Sequence, residues 1–110
     1  MATNSSSNIV LKKMNSANVR LDNSGDSDRI YDVAANTDIS ENQANSFNGE
    51  VMKDGVQIAN FSCYGTSDEN LSINYQNVAA SQQCAVLTAV QEFLAASRSF
   101  VSANPSLASL

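Results

Sequence analysis

The sequence predicts a single α+β domain: an antiparallel sheet of five or six strands, built from β-hairpins and followed by one long C-terminal helix packed on one face. Three observations support this prediction. Short segments before residue 77 alternate between apolar and polar residues, which is the period of a half-buried strand. These segments are separated by polar connections that are too short for the crossovers that parallel strands need, so antiparallel pairing is favoured. From Val78 onwards, apolar residues recur at three- and four-residue steps, the period of a helix.

The first part of the chain predicts three strands. Residues 9–14 form the first strand, and residues 17–22 form the second, with alternate apolar positions on one face. Residues 23–27 are a cluster of turn-forming residues. A third strand is predicted at residues 29–35, and the polar residues 36–45 are expected to form a loop or a weak short helix.

The next segment contains the clearest hairpin signal. Residues 47–53 and 56–64 flank Asp54-Gly55, a pair that favours a two-residue turn with positive φ at both positions. Gly49 within the first arm indicates a bulge or a close approach of two backbones. Residues 71–76 then alternate regularly, which predicts a strand with one apolar side towards the core and one polar side towards water.

One helix of roughly 24 residues is expected after the strands. Asn77 or Ser81 is a candidate N-cap, and Pro105 is expected to end the helix near Ser102 or Ala103. The apolar stripe that would face the sheet comprises Val86, Leu87, Val90, Phe93, Leu94, Phe100 and Val101.

Length and composition fit one small domain. Serine, asparagine, glutamine and threonine make up more than a third of the 110 residues, while Leu, Ile, Val and Phe provide enough apolar side chains for one core. We expect residues 1–8 to be a flexible polar lead-in, residues 9–104 to form the domain, and residues 105–110 to be a short tail.

Composition also argues against several functional classes. No run of about 20 apolar residues predicts a membrane span, and the N-terminus lacks the pattern of a secretory signal. We therefore expect a cytoplasmic protein, although a signal removed earlier stays an alternative. The net charge of −5 makes the chain acidic and disfavours nucleic acid and anionic membranes.

The two cysteines, Cys63 and Cys84, are interpreted as buried thiols. They have no neighbouring cysteine or histidine with which to complete a zinc site. A disulfide between them is not supported in a cytoplasmic protein. The helix N-terminus could lower the pKa of Cys84, but its nearness to the apolar stripe favours burial.

A weak calcium-loop candidate occurs at residues 22–28. Oxygen-bearing side chains stand at alternate positions, Asp22, Ser24, Asp26 and Asp28, as in loops that bind hard cations. The glycine is misplaced, however, and Val33 stands where a closing glutamate is needed. A hairpin loop whose side chains bond to the nearby backbone is the favoured interpretation, and no metal or cofactor is predicted.

Catalysis is not predicted. The chain lacks histidine, which removes Ser-His and Cys-His nucleophiles. Carboxylate pairs remain as candidates for acid–base chemistry, but nothing in the sequence locates them in an apolar cleft. These pairs are Asp26 with Asp28, Asp32 with Asp38, and Asp68 with Glu69.

Binding of single-stranded nucleic acid is the leading alternative function. Such sheets stack bases on exposed aromatic side chains beside a basic track. Lys12, Arg20 and Arg29 would supply the basic track, whereas residues 54–97 contain no basic residue, which opposes this function. The strand aromatics are Tyr31, Phe47, Phe61, Tyr64 and Tyr75.

The preferred function is a non-enzymatic protein-interaction or structural module that forms a homodimer or binds an unknown protein. Val56, Ile58 and Tyr64 fall on one face of their predicted strand. Ala59, Phe61 and Cys63 fall on the other, so a single helix leaves one apolar patch uncovered. We expect these latter three to form the association surface, unless a bulge between Ala59 and Ser62 returns Phe61 to the core.

Overall fold

The computed structural model describes residues 8–15 and 18–105, and it confirms the predicted fold. Six antiparallel strands form one sheet, and a single long helix follows and packs against it. The strands are β1 (Val10–Asn15), β2 (Asn18–Asp22), β3 (Asp32–Ser40), β4 (Gln43–Lys53), β5 (Val56–Tyr64) and β6 (Leu71–Tyr75), and the helix is α1 (Ala80–Ala103). The expectations for residues 1–7 and 106–110 lie outside the described residues.

The sheet is a meander in which every strand pairs with its neighbour in the sequence. The spatial order is β1-β2-β3-β4-β5-β6, and every pairing is antiparallel. Asp54-Gly55 joins β4 to β5 as predicted, with positive φ at both residues. This order leaves β1 and β6 as the two edges of the sheet.

The core lies between the inner face of the sheet and α1, which packs most closely on β4 and β3. Phe93 of α1 stands over the centre of this face, with its ring 6.4 Å from the rings of both Phe47 and Phe61, edge to face. The largest completely buried aliphatic side chains around these rings are Val19, Leu21, Val33, Val51, Val86, Val90, Leu94 and Val101.

Residues 36–45 form a strand hairpin, so the prediction of a loop or weak helix is wrong. β3 continues to Ser40, and β4 begins at Gln43 after a two-residue turn. Glu41 and Asn42 both have positive φ, 54° and 63°, which matches the twist of a tight hairpin. The strand forms because Thr37 and Ile39 point into the core while their polar neighbours face outward.

The third strand begins later than predicted, at Asp32 instead of Arg29, because a side chain organises the preceding loop. Asn23 bonds to the loop end: its Nδ2 donates to the carbonyl of Tyr31, and its Oδ1 accepts from the N–H of Val33, both at 3.0 Å. A further bond joins the N–H of Asn23 to the carbonyl of Val33 at 3.1 Å. The side-chain hydrogen bonds of Asn23 therefore take the place of backbone pairing at this point and hold the loop in a defined shape.

The helix has the predicted length and the predicted end, but its start differs. Its last residue is Ala103, two positions before Pro105. The N-cap is Ala79, which has no side-chain acceptor, so neither Asn77 nor Ser81 caps the helix. In the buried stripe, Leu87 and Phe100 are only partly buried, whereas Ala96 and Ser97 are buried.

By length and composition, α1 is also the one helix within the described ranges that is apolar enough to cross a membrane. Its most apolar 18-residue stretch has a mean hydropathy of 1.2, and 39% of that stretch is buried in the protein. A helix that covers a sheet satisfies the same criterion, and α1 uses its apolar side for that purpose.

Candidate functional site

The loop that was considered for calcium is a pair of side-chain turns. Asp22 Oδ1 accepts hydrogen bonds from the N–H and Oγ of Ser24, at 3.0 and 2.7 Å. Asp26 Oδ1 accepts from the N–H of Asp28 at 2.9 Å. These are the local side-chain bonds that the turn interpretation describes. Across residues 8–15 and 18–105, no three acidic or cysteine side chains come together in a group that could hold a metal ion.

Arg29 also stabilises this loop, through hydrogen bonds to a carboxylate and to two loop carbonyls. Its Nε donates to Asp32 Oδ1 at 2.6 Å, and its Nη1 donates to the carbonyls of Asp26 and Ser24 at 2.9 and 3.3 Å. Together with Asn23, these bonds give the loop a fixed shape beside α1.

Two of the three carboxylate pairs named as candidates for acid–base chemistry have their members apart or engaged elsewhere. Asp32 and Asp38 lie on one strand six residues apart, which corresponds to about 20 Å. Asp38 accepts hydrogen bonds from Asn18 and Ser46 instead. Asp68 is paired with a cation, whereas its neighbour Glu69 is exposed.

The cation that binds Asp68 is Arg98, which also contacts the buried thiol of Cys63. The Nη1 of Arg98 is 2.6 Å from Asp68 Oδ1, and its Nη2 is 3.5 Å from Cys63 Sγ. The guanidinium carbon lies 5.5 Å from the centre of the Phe47 ring, within cation–π range. Arg98 thus ties the helix to β4, to β5 and to the turn before β6.

Burial raises the pKa of the Cys63 thiol, while the charge of Arg98 lowers it and that of Asp68 raises it again. A hydrogen bond from Arg98 lowers it further, but the net effect is a raised pKa. The thiol itself lies 3.2 Å from the carbonyl of Ser67, to which it donates. Cys63 is therefore a protonated core residue at neutral pH, not an activated nucleophile.

Cys84, in contrast, is exposed, so the prediction that it is buried is wrong. Val86 and Val90 define the buried side of α1, and a residue two positions before Val86 points away from that side. Both cysteines are free thiols.

The two thiols should differ strongly in reactivity. With a thiol reagent such as DTNB at pH 8, we expect one rapid equivalent per native chain, from Cys84, and a second only after denaturation. Cys84→Ser should remove the rapid phase, and Cys63→Ser should leave it unchanged. Two rapid equivalents in the native protein would contradict the buried position of Cys63.

The residues expected on an uncovered face, Ala59, Phe61 and Cys63, lie instead beneath α1, each at most 2% exposed. Their placement is a correction of the sequence-based expectation. Pairing between β4 and β5 is continuous from Ala59 to Tyr64, so the bulge expected between Ala59 and Ser62 is absent. An irregularity occurs just before this stretch: Val51 pairs with Ala59 but Met52 pairs with Gln57, which leaves Ile58 as the extra residue. This irregularity brings both Ile58 and Ala59 against the core.

The outer face of the sheet offers little to stack a nucleic-acid base. Of the five strand aromatics considered, only Tyr64 is largely exposed, at 65%. Two of the three basic side chains expected beside them are engaged, since Arg20 is paired with Glu50 and Arg29 with Asp32, whereas Lys12 is exposed on β1. Beside Arg20, short polar side chains cross the middle of this face: Asn36, Asn48, Ser62 and Ser72.

The two edges of the sheet differ in how they are protected. β1 carries Lys12 and Lys13 and has a register shift between Leu11 and Lys13. Lysines and bulges on an edge strand discourage further strands from pairing with it. β6 has no charged residue, no proline and no register shift, and its three inward side chains are only partly buried.

The backbone of β6 also has a free side. The N–H of Gln76 donates to the carbonyl of Ile58 at 2.8 Å, so the even-numbered residues of this strand bond towards β5. By alternation, the N–H and C=O groups of Ile73 and Tyr75 point away from the sheet. Within the part of the chain that the structure describes, no strand lies beyond them.

A second feature is a cavity of about 470 Å³ between α1 and the loop of residues 23–31. It is lined by three separate segments: Ile9 before β1, the loop, and one flank of α1. Neither this cavity nor the open edge was predicted. The only sequence signal for the cavity is the recurrence of alanine along one side of the helix.

The chain was compared with known proteins in three ways. No family model, no curated protein and no solved structure matches it. The fold and surfaces define an α+β protein of one domain with an open strand edge at β6 and a cavity on the opposite flank of α1. Its function is therefore argued from these two features.

Proposed function

We propose that this protein is a non-enzymatic interaction module that forms a homodimer through β6. Two copies would place their β6 strands side by side, antiparallel, and join the two sheets into one. The observation that supports this proposal is the contrast between the edges: β1 carries lysines and a bulge, whereas β6 carries neither.

The sequence of β6 suits pairing with itself. A two-fold axis at Ile73 sets Leu71 of one copy opposite Tyr75 of the other, and Ser72 opposite Asn74. Apolar side chains then meet on the inner face and polar ones on the outer face, which is the match that strand register requires. Such a self-complementary contact closes as a dimer and leaves no second β6 edge exposed.

Pairing would also give partners to polar backbone groups. The N–H and C=O groups of Ile73 and Tyr75 bond only to water when the edge is open, and each hydrogen bond formed in a dimer contributes about 1 kcal/mol. Leu71 contributes less, because its N–H already donates to the carbonyl of Asp68.

The apolar side of β6 would gain burial at the same time. Leu71, Ile73 and Tyr75 are half-buried in the single chain and pack against the edge of its core. Leu87 of α1 is also half-buried and lies one turn after Gln83, whose carbonyl accepts from the Tyr75 hydroxyl at 3.3 Å. Covering such surface contributes roughly 25 cal/mol per Å².

Light scattering coupled to gel filtration tests the proposal. We expect the full chain at about 100 µM to have the mass of a dimer and Ile73→Lys to have the mass of a monomer, because a charge at the pairing centre is desolvated on association. A control, Ser99→Lys, adds the same charge on the exposed side of α1 and should stay dimeric. Circular dichroism establishes that each variant is folded.

A second variant tests the same strand in case Ile73→Lys does not fold. Leu71→Lys changes the end of the same strand and should weaken the dimer by about tenfold or more. A monomeric wild-type chain at this concentration would refute the proposal outright. A dimer that neither β6 variant weakens would also refute it, because the interface would then lie elsewhere.

A further inference from the structure

The cavity beside α1 has the size and the composition of a small-molecule site. Its volume, about 470 Å³, is in the range of pockets that enclose small ligands. Its floor is apolar, because Ile9, Tyr31 and Phe93 line it and are themselves buried in the core. Ile30 stands at the same cavity and is 71% exposed.

The cavity exists because one flank of α1 carries short side chains. Ala85, Ala89 and Ala96 line it from the helix, and residues at these spacings share one side of a helix. The other flank carries the longer side chains of Leu87, which is half-buried, and Leu94, which is buried. The space is also formed without a ligand, because the bonds of Asn23 and Arg29 hold the opposite wall.

The charges around the cavity have one prevailing sign. Asp26, Asp28 and Glu92 line it, and the single basic side chain there, Arg29, is already paired with Asp32. Glu92 is half-buried on the helix wall, and the described part of the chain gives its carboxylate neither a hydrogen bond nor an ion pair. An unpaired carboxylate beside an apolar floor favours a ligand that brings a positive charge.

We propose that this cavity binds a small organic amine with an apolar body. The ammonium group would face the carboxylate of Glu92 and the acidic loop, and the apolar body would lie against Ile9, Phe93 and Ala89. The site is on the flank of α1 opposite to β6, so it goes beyond the proposed dimer and is tested separately from it.

Titration of the ¹⁵N-labelled full chain with n-octylamine, followed by NMR, tests this site. Octanoate and 1-octanol serve as comparators because they have the same number of carbon atoms as octylamine and differ from it chiefly in the charge of the head group. We expect octylammonium to shift the amide signals of Ala85, Ala89, Glu92 and residues 26–31 in a saturable way. Octanoate should bind at least about fivefold more weakly, because like charges oppose it.

Three variants separate charge recognition from filling of the cavity. Glu92→Gln should weaken octylammonium binding by about three- to fivefold and leave 1-octanol binding unchanged. Ala89→Leu fills the cavity and should abolish the binding of both molecules. Ala103→Leu makes the same substitution at an exposed position of α1 outside the cavity and should bind as the wild type does.

Three results would overturn the proposal. Octanoate that binds as tightly as octylammonium would show that no cation is selected, and unchanged binding by Ala89→Leu would place the ligand elsewhere. Absence of octylammonium binding to the full chain would reject the site as well.

Discussion

Replacement of Gly49 by alanine is expected to destabilise the protein by about 3 kcal/mol or more. A Cβ atom at this position would lie 2.1 Å from the carbonyl oxygen of Ala34 and 2.6 Å from the Cβ of Ala35. These atoms belong to the adjacent strand, so the clash is relieved only if β3 and β4 move apart. Gly49 is thus required by the close approach of two backbones, one of the two roles that the sequence predicted for it.

Urea denaturation of Gly49→Ala measures this effect. The control is Gly65→Ala, since Gly65 also lacks a side chain but has no atom within 4 Å of a built Cβ. Its φ of +90° limits the cost of the control to about 1–2 kcal/mol of backbone strain. Equal losses in the two variants would contradict the close contact of β3 with β4.

Phe93→Ala is expected to cost about 3–5 kcal/mol, the range for removing a large buried aromatic side chain. The ring of Phe93 is 3% exposed and makes edge-to-face contacts with Phe47 and Phe61 at once. Its loss would leave a void at the centre of the core and would remove the contact through which α1 joins β4 and β5. Domains of this size have only about 5–15 kcal/mol of stability, so the variant should be partly unfolded at 37 °C.

Thermal and urea unfolding of Phe93→Ala give this value, and Phe100→Ala is the matched control. Phe100 is on the same helix but only partly buried, so its removal should cost about half as much or less. If the two variants lost equal stability, the ring of Phe93 would not be the centre of the core.

Local signals account for the parts of the fold that were predicted correctly. Asp54-Gly55 forms its turn from two residues that favour positive φ, and Pro105 ends a helix because it cannot donate a backbone hydrogen bond. β6 follows its regular alternation. Each of these elements is determined by a few adjacent residues, and its tertiary contacts favour the same local structure.

The incorrect predictions concern features that depend on a neighbouring strand or on exact helical phase. The turn at Glu41-Asn42 lacks the usual glycine, and only the pairing of β3 with β4 keeps it closed. The burial of Phe61 depends on which face of the sheet α1 covers, because both faces of β5 carry apolar residues. Cys84 was misplaced because its exposure depends on its angle around the helix and not on its distance along the chain from the apolar stripe.

The candidate sites were harder to predict than the fold. The β6 edge matters only because the meander places β6 last, and the same five residues in a central strand would carry no binding surface. The cavity joins residues from three distant segments. In the sequence, Ala85, Ala89 and Ala96 have the appearance of ordinary helix-forming residues. Only the position of the facing loop shows that they line a cavity.

The order of elements has a consequence for biosynthesis. Each strand pairs with the strand made just before it, so hairpins can form while the chain is still being synthesised. The inner face of that sheet, however, is covered by α1, which follows all six strands in the chain. A nascent chain that lacks Ala80–Ala103 therefore exposes Phe47 and Phe61 to solvent, and the domain is protected from aggregation only once α1 has emerged from the ribosome.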